Sequence, residues 1–252
     1  MNDFDLTGKK ALVTGASRGL GRDMAEALME AGAEVVLAGR TQEVFQVADH
    51  YKKDGYQCHA ATADLSQDGA AAGLFSTAAA LLADAPDILV NAAGVQSRHP
   101  SEAFPLADWQ NVINVNLTAV FQLCQLSGLK MIEKGHGKII NVASMLSFFG
   151  GITVPAYAAS KGGVAQLTKA LANEWSGKGI NVNAIAPGYM DTDMNTNLIN
   201  DPARNQEILR RIPAGRWGKA SDMKGITIFL ASNASDYICG TVIPVDGGYL
   251  GR

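Results

Sequence analysis

Cysteine and histidine are scarce in this chain, and that scarcity argues against two classes of protein at once. The three cysteines, Cys58, Cys124 and Cys239, stand far apart in apolar or strand-like contexts. Reduced core thiols are expected, not a disulfide framework. The four histidines, His50, His59, His99 and His136, are equally isolated, so no metal site is expected. A basic excess is missing too: the formal charge is −3 over 252 residues, which argues against a nucleic-acid partner. No apolar run reaches the length of a transmembrane helix, so no membrane partner is expected. The opening Met1-Asn2-Asp3-Phe4-Asp5 is polar and acidic, unlike a secretory signal, and a cytoplasmic location is expected. Linker-like, low-complexity and period-fixed segments are lacking as well, which leaves one domain over 1–252.

What is present is apolar material in alternation. Apolar residues make up 47% of the chain, enough for a large core. Strand-like runs at 9–13, 33–38, 57–63, 88–90, 138–143, 180–186 and 241–245 alternate with helix-like stretches. The longest helical stretches are 109–134 and 156–175, and a further one lies near 221–231. Seven strands separated by helices predict an α/β fold: a single-domain, Rossmann-like, doubly wound parallel sheet flanked by helices. Ligands of such sheets bind beyond the carboxyl ends of the strands, and polar residues gather there. Asp64 follows the third strand, Asn91-Ala92-Ala93-Gly94 the fourth, Ser144 the fifth and Pro187-Gly188 the sixth. Singly, Asp64 reads as a helix cap, Ser144 as a turn residue and Pro187-Gly188 as loop punctuation. Together they fit a cofactor laid across the sheet edge.

Two local patterns carry chemistry. Thr14-Gly15-Ala16-Ser17-Arg18-Gly19-Leu20-Gly21 follows the first strand and opens a helix, which aims backbone N–H groups and a helix N-terminus at a phosphate. The spacing is T-G-x-x-x-G-x-G, not the G-x-G-x-x-G fingerprint. In Tyr157-Ala158-Ala159-Ser160-Lys161 a phenol and an ammonium stand one helical turn apart on one face. A free phenol titrates near ~10, and a neighbouring cation favours the phenolate. The pair is therefore expected to exchange a proton with an alcohol or ketone near neutral pH.

With these residues in place, the sequence resembles the short-chain dehydrogenase/reductase family along essentially its whole length, from Thr14-Gly15 to Asp246-Gly247-Gly248. One departure is Ala92, where that family usually has a second asparagine; backbone contacts there remain available. The resemblance implies Tyr157 as the acid/base and Lys161 as the cation that lowers its pKa and holds the nicotinamide ribose. It implies Ser144 as a donor to the substrate oxygen and Asn116 as a link from Lys161 to solvent, with Asn114 the weaker candidate. Gly15, Ser17, Arg18, Gly19, Leu20 and Gly21 would cradle the cofactor phosphates. Asp64 and Leu65 would flank the adenine, and Asn91, Ala92, Ala93 and Gly94 would line the groove. Pro187, Gly188, Met190 and Thr192 would anchor the carboxamide, with a substrate lid at about 189–215. The resemblance implies a homotetramer, which the small-residue face of the 156–175 helix and the C-terminal strand would allow.

Cofactor choice is read from charge. An NAD site wants a carboxylate after the second strand, but Leu37-Ala38-Gly39-Arg40-Thr41 has none. Arg18 and Arg40 can grip a 2′-phosphate, so NADP is expected to be preferred, with NAD as the alternative. Gly39→Asp with Arg40→Leu is expected to reverse that preference. The stretches around Ser144-Met145-Leu146-Ser147 and Ile212-Pro213-Ala214-Gly215-Arg216-Trp217-Gly218 resemble the family's sugar-acid branch, acting on gluconate- or deoxygluconate-type substrates. Arg98 suits the substrate carboxylate. A 3-oxoacyl or general carbonyl reductase is the alternative on the same scaffold, and a nucleotide-sensing regulatory protein the non-enzymatic one.

Overall fold

Strands rich in Val, Ile, Leu and Ala, with hardly a polar residue to mark an outer face, must be buried on both sides. A computed structural model, which describes residues 3–252, shows how. Met1 and Asn2 of the polar opening lie outside the described residues. Seven parallel strands, β1 (Lys10–Thr14), β2 (Glu34–Gly39), β3 (Cys58–Thr62), β4 (Ile88–Asn91), β5 (Gly137–Val142), β6 (Ile180–Pro187) and β7 (Val242–Val245), form one sheet in the order β3-β2-β1-β4-β5-β6-β7. Adjacent residues of one strand serve opposite layers. In β5, Ile139 packs into the core that holds Leu12 and Leu89, and Ile140 into the one that holds Val13 and Val90. Both are buried, and each contributes roughly 1.5–3 kcal/mol.

The order reverses between β1 and β4, because the chain winds outward from β1 to β3 and then returns to the other side. The loops after those two strands diverge and leave a crevice at their carboxyl ends. Helices α1 (Gly19–Glu30), α2 (Glu43–Lys53), α3 (Ala70–Leu81), α4 (Leu106–Ile113), α5 (Ala119–Lys134) and α6 (Pro155–Trp175) cover the sheet. Pro155 suits the first helical position of α6, where its missing N–H is an orphan anyway. Gly135, at φ 76°, ends α5 in the left-handed conformation that a side chain resists.

Three expectations need correction. The helical stretch at 109–134 starts at Leu106 and is broken by a π-helical turn over Asn114–Thr118. The resulting 106–134 rod is long and apolar enough to cross a membrane by length and composition, yet half of its apolar window is buried inside the protein. The segment expected as a lid loop carries two short helices, α7 (Thr196–Ile199) and α8 (Pro202–Arg211), the latter capped by Asp201 accepting from the N–H groups of Ala203 and Arg204. A last helix, α9, spans Lys224–Ala231 after a 3-10 turn. Cys58 and Cys124 are buried thiols, but Cys239 is exposed, because it lies in the turn before β7 and not in the strand.

Candidate active site

The glycine turn is shaped by close approach. A Cβ on Gly15, at φ 68°, would lie 2.8 Å from the Cα and N of Ala93, and one on Gly21 would overlap the Gly15 carbonyl. These two glycines let the start of α1 sit down on the sheet edge. Its first turn holds no acidic residue and its N-cap, Arg18, no side-chain cap, so the N–H groups there remain suited to an anion. Thr14, quoted in the motif without a role, has one here: its Oγ1 accepts from the N–H groups of Ala92 and Ala93, at 3.1 Å each. The two alanines therefore offer a ligand their carbonyls and not their N–H groups.

Tyr157, Lys161, Ser144 and Asn116 converge at the carboxyl ends of β4 and β5. Ser144 follows β5 in extended conformation, and its Oγ accepts from the Leu146 N–H at 3.2 Å. That contact occupies a lone pair and leaves the Ser144 hydrogen bond with the Tyr157 phenol in place. The Lys161 Nζ donates to the Val142 carbonyl at 2.6 Å and lies 5.7 Å from the centre of the Tyr157 ring. Burial pushes the lysine down to about 8, since the residue is 4% exposed and its ammonium is left with the Val142 carbonyl as its hydrogen-bond partner. The phenol departs from expectation. It is held above its ordinary value, because burial outweighs the Ser144 hydrogen bond.

Asn116 occupies the π-helical turn, fully buried. Its Oδ1 accepts from the Val95 N–H at 2.8 Å, and its Nδ2 donates to the Val95 carbonyl at 2.9 Å and to the Ser160 Oγ at 3.1 Å. The extra residue in that turn re-aims the amide inward, as π-bulges at functional sites do. Asn114 points elsewhere, donating to the Ser66 carbonyl. A Cβ on Gly94 would sit 3.6 Å from the Asn116 Oδ1 and 3.8 Å from the Lys161 Nζ, so glycine keeps the groove open beside the ammonium. Ser147, which sequence reasoning passed over, receives the Ser144 N–H at 3.3 Å and donates to the Lys161 carbonyl at 2.7 Å.

The remaining candidates line the crevice edges. Asp64 is exposed and accepts from both the N–H and the Oγ of Ser66, which holds its carboxyl below the usual range with help from the Arg40 charge. It caps a turn and not a helix; Leu65 packs beside it against the core. Gly188 allows β6 to approach β7 closely, since a Cβ would lie 2.6 Å from the Asp246 Cα. Met190 is buried with its carbonyl taken by the Asn195 side chain. The Thr192 Cγ2 would stand 3.8 Å from a Cβ on Gly19, so the lid segment faces the glycine turn. Arg18 reaches across to it, 3.5 Å from the Asp193 carboxylate, both groups exposed; such a pair contributes at most about 1 kcal/mol. Arg98 is exposed on the loop after β4.

A Cβ on Gly39 would overlap the Ser17 hydroxyl and lie 3.0 Å from the Val44 Cβ, so Gly39→Asp requires the Ser17 side chain to turn away. Of two half-open concavities of about 250 and 390 Å³, one lies between Tyr189 and Asp246 and borders the site only through Met190, and the other lies around Lys138 and Asn181 near the amino ends of the strands. Polar convergence, not cavity size, marks the crevice.

Comparison with known proteins agrees with this geometry. The short chain dehydrogenase family model matches residues 9–203. The chain is 49% identical to 2-dehydro-3-deoxy-D-gluconate 5-dehydrogenase of Bacillus subtilis, over 99% of this chain and 97% of that protein. A solved structure from Agrobacterium tumefaciens, provisionally assigned as a 2-deoxy-D-gluconate 3-dehydrogenase and holding NADP, superposes with a TM-score of 0.94 at 49% identity, covering all of both chains. Gluconate 5-dehydrogenase from Burkholderia cenocepacia, in complex with NADP and tartrate, gives 0.95 at 39% identity over 100% of this chain and 98% of that one. The chain belongs to the short-chain dehydrogenase family and is an NAD(P)-dependent oxidoreductase acting on CH–OH groups.

Proposed function

We propose that this enzyme interconverts a secondary alcohol and a ketone of a gluconate- or deoxygluconate-type sugar acid, with NADP as the preferred cofactor. The observation that carries the reading is the convergence of Tyr157, Ser144 and the buried Lys161, whose Nζ lies 2.6 Å from the Val142 carbonyl and 5.7 Å from the centre of the Tyr157 ring, at the crevice that the glycine turn opens onto. The relatives named above act on the same substrate class, and two of them hold NADP.

The protein's own residues divide the work. Tyr157 removes the alcohol proton in oxidation and returns it in reduction. Ser144 donates to the substrate oxygen as charge develops on it. Lys161 keeps positive charge beside the phenol and holds ribose hydroxyls, while Asn116 fixes the Val95 backbone that borders it. Gly15, Ser17, Gly19, Leu20 and Gly21 bind the phosphates, and Asp64 and Leu65 border the adenine. Asn91, Ala92, Ala93 and Gly94 wall the groove. Pro187, Gly188, Met190 and Thr192 hold the carboxamide end, and 189–215 closes over the substrate. A bound nicotinamide supplies or accepts the hydride. Arg18 and Arg40 grip the 2′-phosphate, and Arg98 pairs with the substrate carboxylate.

The test is a panel of aldonates, keto sugar acids, polyols, simple ketones and a 3-oxoacyl thioester, each assayed with both cofactors. Sugar acids are expected to give the highest kcat/KM, with NADP ahead of NAD. Arg40→Leu should lower the NADP preference by about ten- to hundredfold, the equivalent of one charge-assisted contact of roughly 1.5–3 kcal/mol. Higher efficiency with the thioester would move the enzyme to the carbonyl-reductase reading, and an NADP preference that survives Arg40→Leu would remove that arginine from the site.

A homotetramer is part of the same proposal. Phe121 and Leu129 on α5 are 41% and 56% exposed, and Gly162 on α6 has open space where a Cβ would be. Strand β7 forms a sheet edge. Together they supply two apolar surfaces, and closed two-fold symmetry is the common way to cover such faces. Light scattering at micromolar concentration should return four times the chain mass, whereas a monomer mass would exclude the assembly.

A further inference from the structure

We propose that His99 is a positioning residue for the substrate: it pins the loop that carries Arg98 and acts on a sugar acid only through that arginine. The inference rests on the sugar-acid reading above. The loop after β4 is held at two points. At Val95 both backbone groups are taken by the buried Asn116 amide. Four residues on, the His99 N–H donates to the Thr153 carbonyl at 3.1 Å. The His99 imidazole meets the Asp108 carboxylate at 2.6 Å, in the first turn of α4, and stands edge-on to Phe104 with ring centres 5.1 Å apart. Only Gln96, Ser97 and Arg98 lie between the two anchors. Among the described residues, the exposed Arg98 guanidinium has no hydrogen bond or ion pair to occupy it.

The second anchor is itself unusual. Thr153 is a β-branched residue at φ 64°, in the left-handed region such residues avoid unless their surroundings impose it. It precedes Val154, whose carbonyl accepts the Ala158 N–H in the first turn of α6. That turn carries Tyr157. The backbone of residue 99 thus joins the Arg98 loop to the entry of the helix that bears the phenol, and the imidazole pins the same point to α4 through Asp108. A substrate carboxylate paired at Arg98 is then held in a set orientation to the proton carrier, which a loose loop does not provide.

Arg98→Gln, His99→Ala, Asp108→Asn and the double variant of Arg98→Gln with His99→Ala are compared with the unmodified enzyme on D-gluconate and on its uncharged amide. His99→Ala should raise KM for the acid about tenfold, a loss of the size of one hydrogen bond to a charged group. Its kcat and cofactor Kd should stay within twofold, and KM for the amide should not move. The double variant should be no worse than Arg98→Gln alone, because residues acting through one another are non-additive. Asp108→Asn should show a smaller effect of the same kind, and it carries the comparison if His99→Ala does not fold. An unchanged KM, equal losses on acid and amide, or additive losses in the double variant would overturn the inference while leaving the sugar-acid reading intact. An unmodified enzyme that oxidises no sugar acid would overturn both.

Discussion

Tyr157→Phe is expected to lower turnover by at least about 10²-fold while cofactor affinity stays within a factor of two. In the proposed reaction the phenol carries the proton, and removing general acid–base catalysis costs that much, about 2.7 kcal/mol of barrier. The ring itself is kept, so the packing under Lys161 and the Ser144 turn is preserved. Steady-state rates with a sugar acid, set beside cofactor titration by fluorescence, separate the two quantities. Wild-type turnover in the variant would show that another group carries the proton. The pH profile adds a sign. Burial holds the phenol above its ordinary value, so alcohol oxidation, which needs the phenolate, should still be rising at alkaline pH. The Ser144 hydrogen bond favours the phenolate, so Ser144→Ala should move that limb to higher pH in addition to slowing the reaction.

Lys161→Met is expected to reduce turnover by at least about tenfold and, unlike the tyrosine variant, to weaken cofactor binding by a similar factor, the loss of a charge-assisted hydrogen bond. Burial brings the ammonium down to about 8, so in the unmodified protein cofactor affinity should weaken as pH rises through that value. In the methionine variant this dependence should vanish, and a dependence that persists would assign it to another group. Stability runs the opposite way. The unfolded chain holds the lysine proton up to about 10.4, the folded one only to about 8, so folding gains free energy as pH rises between the two. Replacing a buried cation by an apolar side chain removes this slope. The variant should melt near the unmodified protein at neutral pH, which separates a lost function from a lost fold.

How much was legible in the sequence depends on the range of the interaction. The seven strands and their order along the chain were readable, because each is a short apolar run between turn residues. Tyr157 and Lys161 were readable as a pair, because helix geometry places residues four apart on one face. The break at Asn114–Thr118 was not, since Val112, Val115 and Ala119 continue an apolar helical pattern and no glycine or proline marks the extra residue. Nor was the state of the Tyr157 phenol. Spacing brings a cation near, but only the packing decides that the ammonium lies over the ring and that desolvation of the phenol outweighs the Ser144 hydrogen bond. Nor was the contact over Gly39, because Ser17 folds over that glycine from another loop.

By itself the sequence determined the α/β class, the glycine turn, the phenol–ammonium pair and the absence of a carboxylate after β2. All of these are set by local periodicity, by residue type or by a motif a few residues long. The tertiary structure alone decided where the strand order reverses, that Thr14 spends its hydroxyl on the Ala92 and Ala93 N–H groups, that Arg18 faces Asp193, and that His99 ties the Arg98 loop to Thr153. Those contacts join residues tens to well over a hundred positions apart. Their partners are chosen by the packing of the whole sheet and its loops, which no local pattern encodes.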